Sequence, residues 1–148
     1  MIRLATLEDE VAVRDCARNA YERYVPAIGH KPAPMTADYA AQIGTGEVHV
    51  ATDRADVLLG FIVFHARDGD MLLENVAVQP WASGRGIGGG LIRFCEQEAL
   101  RLGCRAVRLY TNEKMTDNLA LYPRLGYVEV DRRAEDGFNR VFFEKRLG

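Results

Sequence analysis

The chain has 148 residues, 48% of them hydrophobic and 27% charged, which is enough for one domain that buries roughly 70% of its unfolded surface. Lys and Arg number 19 against 21 Asp and Glu, so the near-neutral charge excludes the basic patch expected of a nucleic-acid-binding protein. The longest apolar run, Val57–Phe64, is too short to span a bilayer, and the amino terminus lacks the apolar core of a signal peptide.

The cysteines point to a reducing compartment. Cys16, Cys95 and Cys104 are odd in number and lie in apolar stretches, as free buried thiols do. We therefore expect a cytoplasmic protein with a single domain over residues 1–148 and with neither nucleic acid nor membrane as a partner.

The first third of the chain predicts a strand, a helix and a loop. Ile2–Ala5 alternates like a short strand, and Thr6 can cap a helix that ends near Pro26. Three prolines and a glycine in 26–34 predict an irregular loop, followed by a short helix over Thr36–Ile43.

The remainder predicts strands interrupted by two helices. Three β-rich runs come first, and the third, Met71–Val78, ends at a glycine-rich turn. A helix follows from Ile87 and closes at Gly103, and the next strand, Ala106–Thr111, should run parallel to Met71–Val78. A short helix over Thr116–Leu125 and a closing hairpin complete the pattern.

The glycine-rich turn is the most informative feature. Five glycines between Gly84 and Gly90 leave the backbone without Cβ atoms, so its N–H groups can approach a ligand closely. Those N–H groups lack helical partners in the first turn, where the helix dipole also adds positive charge. The turn therefore predicts a phosphate site.

Two motifs resemble those of the GNAT superfamily of N-acetyltransferases. The run from Val78 to Leu91, with Pro80 and the turn glycines, is similar to the acetyl-CoA signature of that family. The run LALYPRLGYVEV, Leu119–Val130, is similar to its second hallmark, a tyrosine-bearing helix before a strand. The resemblance implies an α/β (α+β) fold with a central mixed, mostly antiparallel sheet of six to seven strands and about four helices.

The same resemblance implies a cofactor site for acetyl-CoA. The backbone of the strand would hold the pantetheine arm, the turn would hold the pyrophosphate, and two asparagines would replace a family asparagine whose position is Met115 here. Ser83 stands where the family usually has Arg or Gln, and Pro123 directly follows the tyrosine, where it can kink or end the helix. The implied contacts are Val76, Ala77, Val78, Ser83, Gly84, Arg85, Gly86, Ile87, Gly88, Gly89, Asn112 and Asn118.

Two side chains are candidates for catalysis. By period-two counting Glu74 shares a strand face with Val76 and Val78, where apolar neighbours would raise its pKa and suit a general base. The alternative is a carboxylate paired with an arginine or turned to solvent by a bulge. Tyr122 is the candidate acid toward the departing sulfur, with a core aromatic as its alternative.

The acceptor is expected to be a primary amine of a small molecule or a peptide. Tyr24, His30 and Met35 lie around the proline loop and are the predicted acceptor contacts. The histidines are dispersed, so no metal is expected. The oligomeric state stays open, with a homodimer as one possibility.

Two other functions fit parts of the sequence. Gly84, Gly86 and Gly89 satisfy a dinucleotide-binding pattern, but the next strand ends without the required acidic residue. A non-catalytic acyl-CoA-binding or sensor domain would keep the same turn without turnover.

Overall fold

The computed structural model describes residues 1–148 and contains one seven-stranded sheet. The strands run in the spatial order β1-β2-β3-β4-β5-β7-β6, and every neighbouring pair is antiparallel except β4 and β5. Their bounds are β1 Ile2–Leu4, β2 Val48–Thr52, β3 Leu58–Arg67, β4 Asp70–Val78, β5 Ala106–Asn112, β6 Val128–Glu135 and β7 Phe138–Arg146.

Five helices accompany the sheet, together with four short 3₁₀ turns. None of the helices combines the length and hydrophobicity needed to cross a membrane. Their bounds are α1 Glu10–Tyr21, α2 Val25–Ile28, α3 Tyr39–Gly44, α4 Ile87–Arg101 and α5 Thr116–Arg124.

The sheet separates two apolar cores. On one face α1 and α3 pack against β2 and β3, with Val13, Tyr39 and Phe61 fully or almost fully buried. On the other face α4 and α5 pack against β4, β5 and β7 around Leu91 and Val107. Each helix buries one stripe of its surface, as amphipathic helices covering a sheet do.

β4 and β5 diverge at the centre of the sheet. They pair only at Met71 with Val107 and at Leu72 with Arg108, although both strands continue for several residues. β4 also carries a β-bulge, because Asn75 pairs with Val63 and Leu73 pairs with Phe64 while Glu74 has no partner. Bulges bend the strand that contains them. β4 and β5 therefore splay apart towards their carboxyl ends.

The predicted fold class, a mixed and mostly antiparallel sheet, is confirmed, as is the parallel pairing of β4 with β5. One local prediction is wrong: the proline-rich segment was expected to be irregular, but its start forms α2. Pro26 occupies the first turn of that helix, where a missing N–H costs nothing. α2 brings the helix count to five.

Candidate active site

The glycine turn presents free backbone donors at the start of α4. Gly84 and Gly86 have φ values of +80° and +76°, a conformation that side chains disfavour. The first helical hydrogen bond joins the N–H of Gly90 to the carbonyl of Gly86 at 3.0 Å. The N–H groups of Ile87, Gly88 and Gly89 consequently have no partner within the helix. This arrangement suits a phosphate or another anion.

A glycine in β3 keeps the turn close to the sheet. A Cβ atom at Gly60 would lie 2.6 Å from the carbonyl oxygen of Ala77 and 3.4 Å from a methyl carbon of Ile87. Such a distance from a backbone atom is a clash, so only glycine fits there. Gly60 thus allows β3 to lie close to β4 at Ala77 and leaves room for Ile87 at the start of α4. It lies outside the glycine-rich run, so the motif did not include it.

Two exposed cations and one hydroxyl surround the turn. Arg85 lies within it and takes part in none of the ion pairs of the structure. Arg93 was missed in the sequence, yet its guanidinium lies 3.4 Å from the place where a Cβ of Gly89 would be. Ser83 donates its hydroxyl hydrogen to the carbonyl oxygen of Pro80 at 2.6 Å. The two arginines are therefore better placed than Ser83 to donate to a phosphate.

We call the first of two clefts the glycine groove. It has a volume of about 240 Å³ and runs from the glycine turn between the end of β4 on one side and α1 and α5 on the other. The side chains and backbone that line it include Tyr21, Arg23, Tyr24, Val76, Ala77, Val78, Ser83, Gly88, Ile92, Asn118 and Leu121.

The β4 backbone offers hydrogen-bonding groups to this groove. The N–H of Gln79 bonds to the carbonyl of Leu59 in β3 at 2.8 Å, so Ala77 also faces β3 by alternation. Val76 and Val78 then face away from β3, and the hydroxyl of Tyr21 lies 2.8 Å from the carbonyl oxygen of Val76. Because β5 has diverged, the N–H groups of Val76 and Val78 are open to an extended ligand that adds to the strand.

We call the second space the proline cleft, because Pro32 and Pro34 form part of its wall. It has a volume of about 120 Å³ and lies on the other side of the gap between β4 and β5. Tyr21, Val76 and Asn118 line both spaces. The two clefts therefore meet at the point where the strands separate. The remaining walls of the proline cleft include Gln42, Leu73, Glu74, Asn75, Tyr110, Asn112, Met115, Tyr122, Phe138 and Arg140.

A buried hydrogen-bond chain braces the junction. Tyr21 lies 2.6 Å from Asn75 Oδ1, and Asn75 Nδ2 donates to the hydroxyl of Tyr39 at 2.7 Å. Tyr39 in turn bonds to the carbonyl of Pro34. Burial raises the pKa of both tyrosines, so they stay neutral donors. Asn75 was not a sequence candidate, since its contacts join residues between 36 and 54 positions apart.

Glu74 does not lie among apolar neighbours, so that expectation is wrong. The bulge places Leu73 and Val76 together in the core beside α4 and directs Glu74 and Asn75 to the opposite face. The Glu74 side chain is 41% exposed and accepts a hydrogen bond from Gln42 Nε2 at 3.1 Å. Its other oxygen lies 3.2 Å from His65 Nδ1. Glu74 is thus a solvated carboxylate in the wall of the proline cleft.

Tyr122 is buried at 4% exposure and packs against Tyr127 and Phe143, while its ring borders the proline cleft. Its hydroxyl has no hydrogen-bond partner in the protein, and burial raises its pKa. Pro123 does not stop the helix at the tyrosine, because α5 continues to Arg124. The hydroxyl therefore remains available to a group in the cleft.

The two candidate asparagines lie in different places. Asn118 lines both clefts and donates to the hydroxyl of Thr111 at 3.2 Å. Asn112 lines only the proline cleft, and its Oδ1 accepts a hydrogen bond from the N–H of Lys114 at 2.9 Å. Of the two, only Asn118 can touch a ligand in the glycine groove.

The three predicted acceptor contacts lie at different places in the structure. Tyr24 lines the glycine groove, where its hydroxyl accepts from Arg23 at 2.7 Å. His30 is exposed and packs against Phe138 with ring centroids 4.6 Å apart, and Met35 packs on the core beside α1. None of the three lines the proline cleft, because the loop turns its prolines and alanines inward instead.

The diverging strands, the free N–H groups of the glycine turn and the two joined clefts suit an acyltransferase. Residues 13–127 match the Acetyltransferase (GNAT) family, so the chain belongs to that family, whose members are acetyl-CoA-dependent N-acetyltransferases. No curated protein is similar enough in sequence to count as a relative.

Solved structures share the fold at low sequence identity. The PaiA N-acetyltransferase from Thermoplasma acidophilum, in complex with coenzyme A, has a TM-score of 0.82 and 17% identity, with 99% of this chain and 98% of that one covered. The ribosomal-protein-S18-alanine N-acetyltransferase from Escherichia coli has a TM-score of 0.77 and 19% identity, covering 99% and 92%. The yncA protein of Salmonella typhimurium with acetyl-CoA has a TM-score of 0.73 and 20% identity, with 100% of this chain and 94% of that one covered.

Proposed function

We propose that residues 1–148 form a single catalytic domain that transfers the acetyl group of acetyl-CoA to a primary amine by direct attack in a ternary complex. The observation that carries the proposal is the meeting of the glycine groove and the proline cleft at Val76 and Asn118. One space can hold the donor and the other the acceptor, so the reacting atoms would meet where the strands part.

The donor fits the glycine groove by its chemistry. The pyrophosphate matches the free N–H groups of Ile87, Gly88 and Gly89, with Arg85 and Arg93 as nearby cations. The amide-rich pantetheine arm matches the open N–H groups of the β4 backbone. Solved members of this fold with coenzyme A or acetyl-CoA bound support the assignment.

In the transfer, the carbon–nitrogen bond to the acceptor forms and the carbon–sulfur bond of the thioester breaks. The amine loses one proton and the sulfur gains one. A backbone N–H of Val76 or Val78 is the proposed donor to the carbonyl oxygen as it gains charge. Preorganised donors of this kind contribute because they need no rearrangement during the reaction.

Glu74 is the proposed route for the proton of the amine. It is the one carboxylate in the wall of the proline cleft, and it accepts a hydrogen bond from Gln42 while His65 Nδ1 lies 3.2 Å from its other oxygen. Because the side chain is well exposed, we infer that it accepts the proton through a water molecule rather than directly.

Tyr122 is the proposed hydrogen-bond donor to the sulfur. Its raised pKa keeps the hydroxyl protonated at neutral pH, and that same pKa disfavours complete transfer of its proton to a thiolate of pKa about 8.5. Stabilising the leaving sulfur by a hydrogen bond fits the buried hydroxyl better, and the proton released by the amine reaches the sulfur through solvent.

The test is an assay of thiol release from acetyl-CoA with a panel of primary amines, coupled to calorimetry of acetyl-CoA binding. We expect binding together with amine-dependent release of thiol and one N-acetylated product for each thiol. Binding without any amine-dependent release would instead identify a non-catalytic acyl-CoA-binding or sensor protein.

A further inference from the structure

The wall of the proline cleft contains one buried cation, Arg140 in β7. Its side chain is 9% exposed, and its guanidinium lies over the ring of Tyr110 at 4.2 Å. A buried guanidinium normally has all its nitrogens paired, because an unpaired buried charge is costly. Arg140 departs from that pattern.

Only one of its three nitrogens bonds to the protein. Nη1 donates to Glu135 at 3.0 Å and to Asp136 at 3.3 Å, whereas Nε and Nη2 have no protein partner. Neither of those two atoms is fully buried, and Arg140 lines the proline cleft. Nε and Nη2 form the planar pair of donors that binds a carboxylate with two parallel hydrogen bonds.

The two carboxylates on Nη1 do not cancel the charge of Arg140. Glu135 is shared, because it also pairs with Arg133 at 2.7 Å. Asp136 has a side chain that is 82% exposed, so water screens its charge. A residual positive charge therefore faces the cleft.

A second free donor lies on the strand opposite Arg140. Asn112 is directly opposite Arg140 in the β5–β7 ladder, so the two side chains share one face of the sheet. Asn112 uses only its Oδ1, in the turn at Lys114, and its Nδ2 has no protein partner. The two free guanidinium nitrogens and the free amide nitrogen are all donors, so together they select an anionic oxygen group.

We propose that the amine acceptor also carries a carboxylate, and that Arg140 and Asn112 hold this carboxylate while the amine points to the junction of the clefts. The acceptor class is therefore a free amino acid or another small amino carboxylate. This inference rests on the proposed acetyl transfer to an amine. Glu74 lies on β4, two strands away from Arg140 on β7, so the cleft presents a carboxylate near the amine and a guanidinium near the anion.

The test compares each amino acid with its own carboxamide, which keeps the amine and the side chain and removes the negative charge. Suitable panels are the common α-amino acids, together with β-alanine and 4-aminobutyrate to vary the spacing. We expect kcat/KM for the best carboxylate to exceed that of its carboxamide by about 10- to 100-fold, the scale of a charge-assisted pair.

Arg140→Gln should remove this preference, raising KM for the carboxylate and leaving both the carboxamide and the acetyl-CoA KM unchanged. Arg133→Gln is the matched control, because Arg133 pairs with the same Glu135 and lies over Phe142 but is half-exposed and outside the cleft. The control should keep the preference. Thermal melting and acetyl-CoA affinity establish that each variant is folded.

Equal kcat/KM for carboxylate and carboxamide in the wild type would overturn the inference, as would an equal loss for both in Arg140→Gln. Acetylation of peptide amines alone would overturn it too, while leaving the proposed transfer intact. If acetyl-CoA bound but no amine of any kind released thiol, the proposed function itself would fail and the inference with it.

Discussion

The glycine groove and the proline cleft differ in what builds them. The groove adds backbone N–H groups, at the start of α4 and along β4, to the side chains that line it, whereas the cleft presents side chains from α1, α3, β4, β5, α5 and β7 and from the proline-rich segment. A backbone site needs glycines in sequence, and those are visible as a motif. A side-chain site needs only residues that the fold brings together. The comparison explains why the sequence predicts the glycine groove and does not predict the side chains of the proline cleft.

The largest expected effect comes from closing the groove. Gly86→Val forces a branched side chain into φ +76°, and Gly88→Val adds atoms towards Val78, whose methyl would already lie 3.5 Å from a Cβ there. We expect a loss of at least about 100-fold in acetyl-CoA affinity by calorimetry, the scale of several charge-assisted hydrogen bonds.

Gly90→Ala is the control for that pair. Its N–H already bonds to the carbonyl of Gly86, and a Cβ would meet only the end of the Arg93 side chain at 3.9 Å. It should keep the affinity and stabilise the helix by about 0.5–1 kcal/mol. Wild-type affinity in both valine variants would show that the anion binds elsewhere.

The next effect concerns the carboxylate in the cleft. Glu74→Gln should lower kcat about 100-fold and leave acetyl-CoA affinity unchanged, because Glu74 lines only the proline cleft. Glu47→Gln serves as its counterpart, since Glu47 lies 3.8 Å from the same His65 but outside both clefts. Steady-state kinetics that gave similar losses for the two variants would assign the effect to His65 rather than to proton transfer.

A smaller effect on kcat is expected from removing the Tyr122 hydroxyl, the proposed donor to the sulfur. Tyr122→Phe should reduce kcat by about 10- to 100-fold while the ring preserves the packing, because it removes one hydrogen bond to a good leaving group. Tyr127→Phe removes a hydroxyl that donates to Glu96 at 2.9 Å, outside both clefts. We expect it to change thermal stability but not kcat. Full turnover by Tyr122→Phe would make Tyr122 a packing residue.

The smallest expected effect is at Tyr24, and it distinguishes the glycine groove from the proline cleft. Tyr24→Phe should raise the acetyl-CoA KM by only a few-fold, about the worth of one hydrogen bond, and leave the acceptor KM alone, since Tyr24 lines the groove. His30→Ala should change neither KM, since His30 lies outside both clefts. A rise in acceptor KM for Tyr24→Phe would restore the original expectation for this loop.

Much of the architecture was predictable because its signals are local. The periodicities for β4 and α4 and the turn between them occupy consecutive residues, so the parallel β4–β5 pair could be predicted from the order of the elements. The mixed sheet and the acetyltransferase family followed from the resemblance of two short motifs. The phosphate-binding turn is still a prediction, but its free N–H groups follow directly from where the helix begins.

The burial of Glu74 could not be predicted from the local periodicity of its strand. Period-two counting holds only for a regular strand, and a single extra residue reverses the side of every later side chain. The bulge depends on how β4 pairs with β3, which lies outside any local window. Glu74 therefore changed from an expected buried carboxylate to an exposed one.

The sequence by itself determined the order of elements, the family and the backbone site, because each depends on residues that are neighbours in the chain. Only the tertiary structure decided that Tyr24 and Asn112 lie in opposite clefts and that Arg140 faces Asn112 across a ladder. Those placements depend on strand register and on the divergence of β4 from β5. Strand register is defined by the pairing of two strands, so it is fixed only in the folded sheet and not by the sequence of either strand alone.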